Sequence, residues 1–317
     1  MSSVIPCVDL TVVPNSLTSL RIVENYVTFR FATNNVSENF GGFKAELLQN
    51  TVASIKSLSN KPLLNKSTNY AIQCGNCSRH INVVPIKFER ILPLPSDTAS
   101  VSDWFCHAHG TQDNIKLDPK ANDLFYTHCY MHINRSNIVN VKGNNKVIVC
   151  KSCLCWLGTI HNPNTIRIWL NTVKFVDNNT SILTNSLTDV FYSIKDVFRN
   201  SLFNSIKIML SCHSSSTLLD SILLWIMEKK MQIQLVESGT VKKHDVSKVL
   251  FKFVTNGCET FSQWQNDSQV TNLNVSKPMI LSLLKHLQKF NKMMPPEFSK
   301  TNDFYLSYLF LYDPILE

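Results

Sequence analysis

Two short stretches hold four cysteines at a spacing that suits zinc: Cys74-Gly75-Asn76-Cys77 and Cys150-Lys151-Ser152-Cys153. Two residues between cysteines let both sulfurs of a knuckle turn toward one ion at about 2.3 Å, and two knuckles complete a tetrahedral four-cysteine site. Such a site has no open position and is structural, because catalytic zinc keeps a place for water. The expectation is one Zn2+ held by Cys74, Cys77, Cys150 and Cys153, with Cys155 and His80 as reserve ligands. The long excursion from residue 78 to residue 149 means that the ion staples together two remote strands.

A third cluster is of a different kind. Trp104-Phe105-Cys106-His107-Ala108-His109 sits in a segment with no helical period, outside both knuckles. As a nucleophile, Cys106 needs a base; His107 points to the opposite side in an extended chain, whereas His109 shares the side of Cys106. Cys106, His107 and His109 with His128 or Cys129 also make a second metal set. The third reading is a buried Trp104 with incidental polar neighbours. Spacing alone leaves all three open.

The elements that must position these residues follow from composition and periodicity. A chain of 317 residues, 44% hydrophobic and 17% charged, is long and apolar enough for two ordinary domains. The first residues, MSSVIPCVDL, lack a basic n-region. The longest apolar run, Thr217 to Met227, is broken by Asp220 and is far below the ~20 residues of a membrane span. A cytosolic or nuclear protein without a membrane segment is expected, and there ten cysteines stay reduced and tight spacings point to metal. The net charge of +8 comes from scattered lysines and arginines, so no direct nucleic-acid contact is expected.

"SLRIV" and "YVTFRF" alternate around Glu24-Asn25 as a hairpin, and strands lead into both knuckles. Pro85, Pro93 and Pro95 confine the strands that follow the first knuckle to sheet edges. Residues 101 to 143 read as a long irregular loop insertion. "SLTDVFYSIKDVFRNSLF" predicts a helix capped by Thr188 or Ser186, and a second helix runs from a Ser276 cap toward Pro295-Pro296. Strands are expected in "NSIKIML", "SILLWIM", "MQIQLVE", "KVLFKFV" and "FYLSYLFLY". The fold class is α+β: a β-rich zinc-knuckle domain over 1–180, then a smaller mixed α+β domain over 181–317.

The order CGNC, "RILPLPS", Trp-x-Cys-His, "NDLFYTHCYMHIN", "VIVCKSCLCWLG", "SILLWIM" resembles the HECT-like ubiquitin-conjugating-enzyme-binding family from about Cys74 onward. The resemblance implies two activities. One is ubiquitin transfer from a conjugating enzyme through a HECT-like C-terminal region. The other is binding to the endonuclease subunit of the cleavage and polyadenylation specificity factor, a dinuclear zinc enzyme of pre-mRNA 3′-end processing. In that second role Cys106 enters the nuclease's active site, inhibiting or chaperoning it, with Trp104, His107, Leu94 and Pro95 as partner contacts. The family's HECT-like argument leans on a cysteine at the start of the last apolar helix, and Ser276 to Pro296 has none; Met279 and Ile280 stand there. The resemblance therefore implies a ubiquitin-protein transferase without naming its catalytic residue.

Overall fold

The computed structural model describes residues 11–13, 15–23, 26–34, 64–66, 68–94, 118–144, 146–178, 180–201, 205–237 and 240–311. The chain forms two compact units, Met1–Ser57 with Ile233–His244, and Leu58–Gln232 with Asp245–Glu317. In the first, β1 (Thr11–Val12) pairs with β4 (Thr33–Asn34), and β2 (Thr18–Val23) with β3 (Tyr26–Arg30). The β2–β3 register sets Ile22 opposite Val27 and Val23 opposite Tyr26, which is the hairpin that the alternation predicts.

The second unit begins with β5 (Asn69–Cys74), β6 (Ile86–Lys87), β7 (Arg90–Pro93), β8 (Asp123–Tyr126), β9 (Tyr130–Asn134), β10 (Val141–Gly143) and β11 (Val147–Cys150). It continues with β12 (Trp156–Asn162), β13 (Thr165–Trp169), β14 (Val173–Val176), β15 (Ser181–Ile182) and helix α1 (Ser186–Asn200). The remaining elements are β16 (Ile206–His213), β17 (Leu219–Glu237), β18 (Thr240–Thr255), α2 (Glu259–Asn266), β19 (Val270–Asn274), α3 (Lys277–Asn291), β20 (Lys300–Thr301) and β21 (Phe304–Leu309). The last residues of β17 and the first of β18 belong to the first unit.

Three sheets organise this unit, ordered β15-β14-β5-β6, β10-β11-β12-β13-β9-β8-β7 and β19-β16-β17-β18-β21-β20. The seven-stranded sheet is covered on both faces. Ile133, Ile148, Leu157, Ile166 and Ile168 pack with Tyr70, Ile72, Val173 and Phe175 of the four-stranded sheet. On the opposite face Tyr130, Val147, Trp156 and Trp169 join Val190, Phe191 and Ile194 of α1, Met279 and Leu283 of α3, and the six-stranded sheet. Helix α2 closes that sheet's far side with Phe261 and Trp264. The α+β class and β-rich first half follow.

Double coverage explains why β8 and β9 escape a reading by alternation, and residues 118–143 are corrected from loop to strands. Tyr130 to Ile133 are all buried, so the strand is a continuous run and not an alternating one. Pro93 and Pro85 behave as expected: β7 lies on the edge of its sheet, and β6, just after Pro85, on the edge of the other. The polar run at Asp177 is a tight turn, with its carboxylate accepting from Thr180 N–H and hydroxyl.

Both long helices begin at side-chain caps that meet one buried network. Asn185, and not Ser186 or Thr188, caps α1 by accepting from Leu187 and Thr188 N–H; Ser276 caps α3 through Met279 N–H. Asn171 donates to Asp189 of α1 at 2.7 Å and accepts from Ser276 at 2.8 Å, and Thr184 also donates to Asp189. Burial pushes the Asp189 carboxyl up to about 6, against the lowering effect of Thr184 and Asn171. The folded chain therefore holds this proton more tightly than the unfolded chain, whose aspartate titrates near ~3.9. The stabilisation is complete below that value and is lost as pH rises through the folded value. Asp189→Asn is expected to gain on the unaltered chain by about 2 kcal/mol between about pH 4 and about pH 7. Thermal unfolding of both proteins across that range checks this; a pH-independent difference would refute it.

Candidate metal centre

Each knuckle begins where a strand ends. β5 delivers Cys74 and β11 delivers Cys150, and the turns that follow are the same turn twice. Ser78 N–H donates to Cys74 O and Leu154 N–H to Cys150 O, both at 2.9 Å; Cys74 N–H donates to Arg79 O and Cys150 N–H to Cys155 O. Ser78 and Leu154 take matching left-handed conformations, φ 56° and 59°. The glycine of the first knuckle serves another purpose. Gly75 donates to Thr172 O at 2.8 Å, and a Cβ there would lie 2.8 Å from the same oxygen. Gly75 is needed for this close approach to the β13–β14 turn.

The intervening residues do not keep the knuckles apart, because β5 and β11 lie in sheets that share one core. Backbone and amide bonds fasten the two ends together. Val139 N–H donates to Ile81 O, Asn140 Nδ2 to His80 O, and Lys151 N–H to Asn140 O.

The four sulfurs converge. Cys74 Sγ lies 3.6 Å from Cys153 Sγ and Cys77 Sγ 3.7 Å from Cys150 Sγ, and all four are within 4.8 Å of one another. Ligands at about 2.3 Å in a tetrahedron sit about 3.8 Å apart, so the donor set and its size fit one zinc-like ion. Burial, foremost, holds the Cys74 thiol up at about 12. At Cys153 burial also opposes ionisation, but the Cys155 N–H, the Asn76 amide and the Cys77 and Cys74 thiols outweigh it and bring the group down to about 6. Among the described residues no other His, Cys, Asp or Glu group converges in this way.

The remaining thiols are placed differently. Cys155 is half-buried beside the cluster, its thiol raised by burial and by Cys153. His80 is exposed and bridges through its backbone to Gln73. Cys129 lies in the core, and His128 Nε2 is 3.0 Å from Ser193 Oγ, so both reserve members of a second metal set face other partners. Cys212 is buried, and its thiol is pushed up to about 12 by burial and then by Asp220. Cys258 caps α2, its sulfur accepting from Phe261 N–H at 3.4 Å. Met279 and Ile280, at the start of α3, are both in the core.

The profile of the HECT-like ubiquitin-conjugating enzyme (E2)-binding family matches residues 6–306. The chain belongs to this family. It is also 24% identical over 265 residues to an E3 ubiquitin-protein ligase of Rattus norvegicus, covering 74% of this chain and 68% of the rat protein. No solved structure matches it.

In this E2-binding family member, Trp104, Cys106, His107, His109 and Pro95 lie outside the described residues, and so does Cys7. Leu94 is described: its N–H donates to Tyr126 O at 2.7 Å, and its half-buried side chain packs against the core. The strand before it is pinned. Arg90 pairs with Asp123 across the parallel β7–β8 ladder, holding that carboxyl below its ordinary range. A second polar cluster that sequence reading missed lies on β9 and β13. Arg167 stacks over Tyr130 at 4.4 Å and donates to His132 Nε2 at 3.0 Å. Burial, Arg167 and His161 hold His132 neutral, its pKa down at about 2. Cross-strand pairing of residues distant in sequence creates this cluster, and only the polar–apolar mixture of "YMHIN" and "TIRIW" hints at it. Among the described residues no helix is long and apolar enough to cross a membrane.

Proposed function

We propose that this chain is a ubiquitin-ligase-type protein of the cytosol or nucleus that recruits a ubiquitin-conjugating enzyme. Its four-cysteine centre holds one structural zinc ion, and Cys212 of its C-terminal half takes no ubiquitin. The observation that carries this reading is the disposition of the thiols. Four meet in one cluster and Cys129 and Cys212 are buried, while Cys258 is half-exposed at the N-terminus of α2. A thioester acceptor must reach the enzyme's charged cysteine as a thiolate. Cys212 is neither accessible nor acidic enough to do so. When bound, zinc neutralises the thiolates and clamps β5 to β11; the protein supplies the preformed knuckles.

The second reading assigns Cys106 to a partner's metals. Thiolate is a soft zinc ligand, and one sulfur bridging two ions occupies the place of an attacking hydroxide. Binding to the 3′-end processing endonuclease in this way blocks hydrolysis and stabilises the folded nuclease, as any ligand of a native state does. What supports this reading is the resemblance carried by Leu94, Pro95, Trp104, Cys106 and His107; Arg90–Asp123 and Leu94–Tyr126 fix the chain as far as Leu94.

Affinity purification of the full chain and of Cys106→Ser from cells tests both readings. A conjugating enzyme is expected with each protein, and the nuclease with the unaltered chain, its capture falling roughly tenfold or more with the substitution. Retention of the nuclease by Cys106→Ser removes the role of Cys106. Absence of any conjugating enzyme from both removes the ligase reading.

A further inference from the structure

Beside the first knuckle runs a groove of about 490 Å³, walled by His80, Val83, Val84 and Pro85 on one side and Val139 and Asn140 on the other. Its aliphatic groups are unusually open to water: Val83 is 73% exposed, Val84 65% and Val139 45%. The walls are nevertheless fixed. Buried Asn82 accepts from Ile72 N–H and donates to Val84 O and Tyr70 O, while Val139 and Asn140 are bonded to Ile81 and His80. A preformed apolar groove loses little entropy when it is filled.

Charge selects the occupant. The segments 74–87 and 138–155 carry Arg79, Lys87, Lys142, Lys146 and Lys151 and not one Asp or Glu. Arg79, Lys142 and Lys151 are exposed, and Lys151 N–H is bonded to Asn140 of the groove wall. A groove whose wall residues are flanked along the chain by exposed cations, Arg79 beside His80 and Lys142 two residues after Asn140, fits a protein surface that offers an aliphatic side chain ringed by carboxylates. Single-stranded nucleic acid fits it less well. That ligand requires aromatic platforms for its bases, and the only ring lining the groove is that of His80, among Asn82, Val83, Val84, Pro85, Val139 and Asn140.

We infer that this groove docks the ubiquitin-conjugating enzyme, with an apolar side chain of the enzyme between Val84 and Val139 and its carboxylates facing Arg79, Lys142 and Lys151. The inference rests on the proposed recruitment of a conjugating enzyme and gives it a location. Because the groove is built on the chain that follows Cys77 and the chain that precedes Cys150, the metal centre becomes the frame of the docking surface.

The test uses the full, zinc-loaded chain against a panel of recombinant ubiquitin-conjugating enzymes, one at a time, with poly-uridine RNA in parallel, by biolayer interferometry. Three altered chains are compared: Val83→Asp with Val84→Asp, Lys142→Glu with Lys151→Glu, and Leu281→Asp on the exposed side of α3 as control. The first two pairs are solvent-facing, and zinc content and circular dichroism report whether each chain retains its fold. The valine pair is expected to weaken the best-binding enzyme at least tenfold. The lysine pair should slow association and flatten its salt dependence, and Leu281→Asp should bind as the unaltered chain does. Undiminished binding by both groove variants overturns the location and leaves recruitment standing. Failure of the unaltered chain to bind any enzyme overturns recruitment and the location with it. Loss of RNA binding, with enzyme binding intact, assigns the groove to nucleic acid and overturns the inference.

Discussion

Cys150→Ser is expected to release the metal and lower the unfolding temperature by more than about 10 °C. Cys150 is 1% exposed, and its sulfur sits 3.7 Å from Cys77 Sγ. Serine cannot supply a thiolate, so an ion bound there would be left with three sulfurs and would no longer tie β5 to β11. Metal binding at structural cysteine sites contributes on the order of 10 kcal/mol in small domains, as much as the whole net stability of many folded chains. A chelator applied to the unaltered protein should reproduce the effect. Adding Cys74→Ser to Cys150→Ser should cost little more, because both act through the same ion. Thermal unfolding with metal analysis reads all three, and a Cys150→Ser protein that melts like the unaltered chain would exclude a structural centre.

Gly158→Ala is expected to destabilise the protein by about 3 kcal/mol or more. A Cβ at Gly158 would stand 2.1 Å from Arg167 O, 3.1 Å from Arg167 C and 3.2 Å from Ile168 Cα. All three are backbone atoms of β13, which pairs with β12 in the middle of the seven-stranded sheet. No side chain can rotate away, so the strands must separate, and Leu157, Trp169 and the stacked Arg167 move with them. Gly143→Ala is the contrast: a Cβ there would meet the Ile148 Cγ2 methyl and Val147 O, both at 3.2 Å, and Gly143 stands on the edge strand β10, which can give by a few tenths of an ångström, so its cost should stay below about 1 kcal/mol. Equilibrium unfolding in urea checks both, and equal losses at the two positions would contradict the backbone clash.

What could be read from the residues was what depends on local chemistry. The paired Cys-x-x-Cys turns, the Ser276 cap, the Ile22–Val27 hairpin and the proline-limited edges are each specified within a few residues. What could not be read depends on contacts far along the chain. β8 and β9 lack alternation because both faces are covered. Helix α2 begins at Cys258, an uncommon cap, and buries only Phe261 and Trp264, so its period is faint. "SILLWIM" and "MQIQLVE" read as two strands because Glu228-Lys229-Lys230 interrupts them, yet they form one strand of 19 residues. At α1 Asn185, Ser186 and Thr188 compete as caps within four positions, and Asn185 accepts from Leu187 N–H and Thr188 N–H, beside the Asn171–Asp189 bond. The knuckle site was legible as ligands but not as geometry: that Gly75 answers to Thr172 is visible only once β14 lies beside β5.

Zinc K-edge absorption of the purified full chain, with metal stoichiometry on the same sample, tests the centre most directly. One zinc per chain surrounded by four sulfurs at about 2.3 Å is expected, unchanged by Cys155→Ser or His80→Ala. Less than half an equivalent of metal, or nitrogen and oxygen among the nearest ligands, would contradict a closed four-cysteine site.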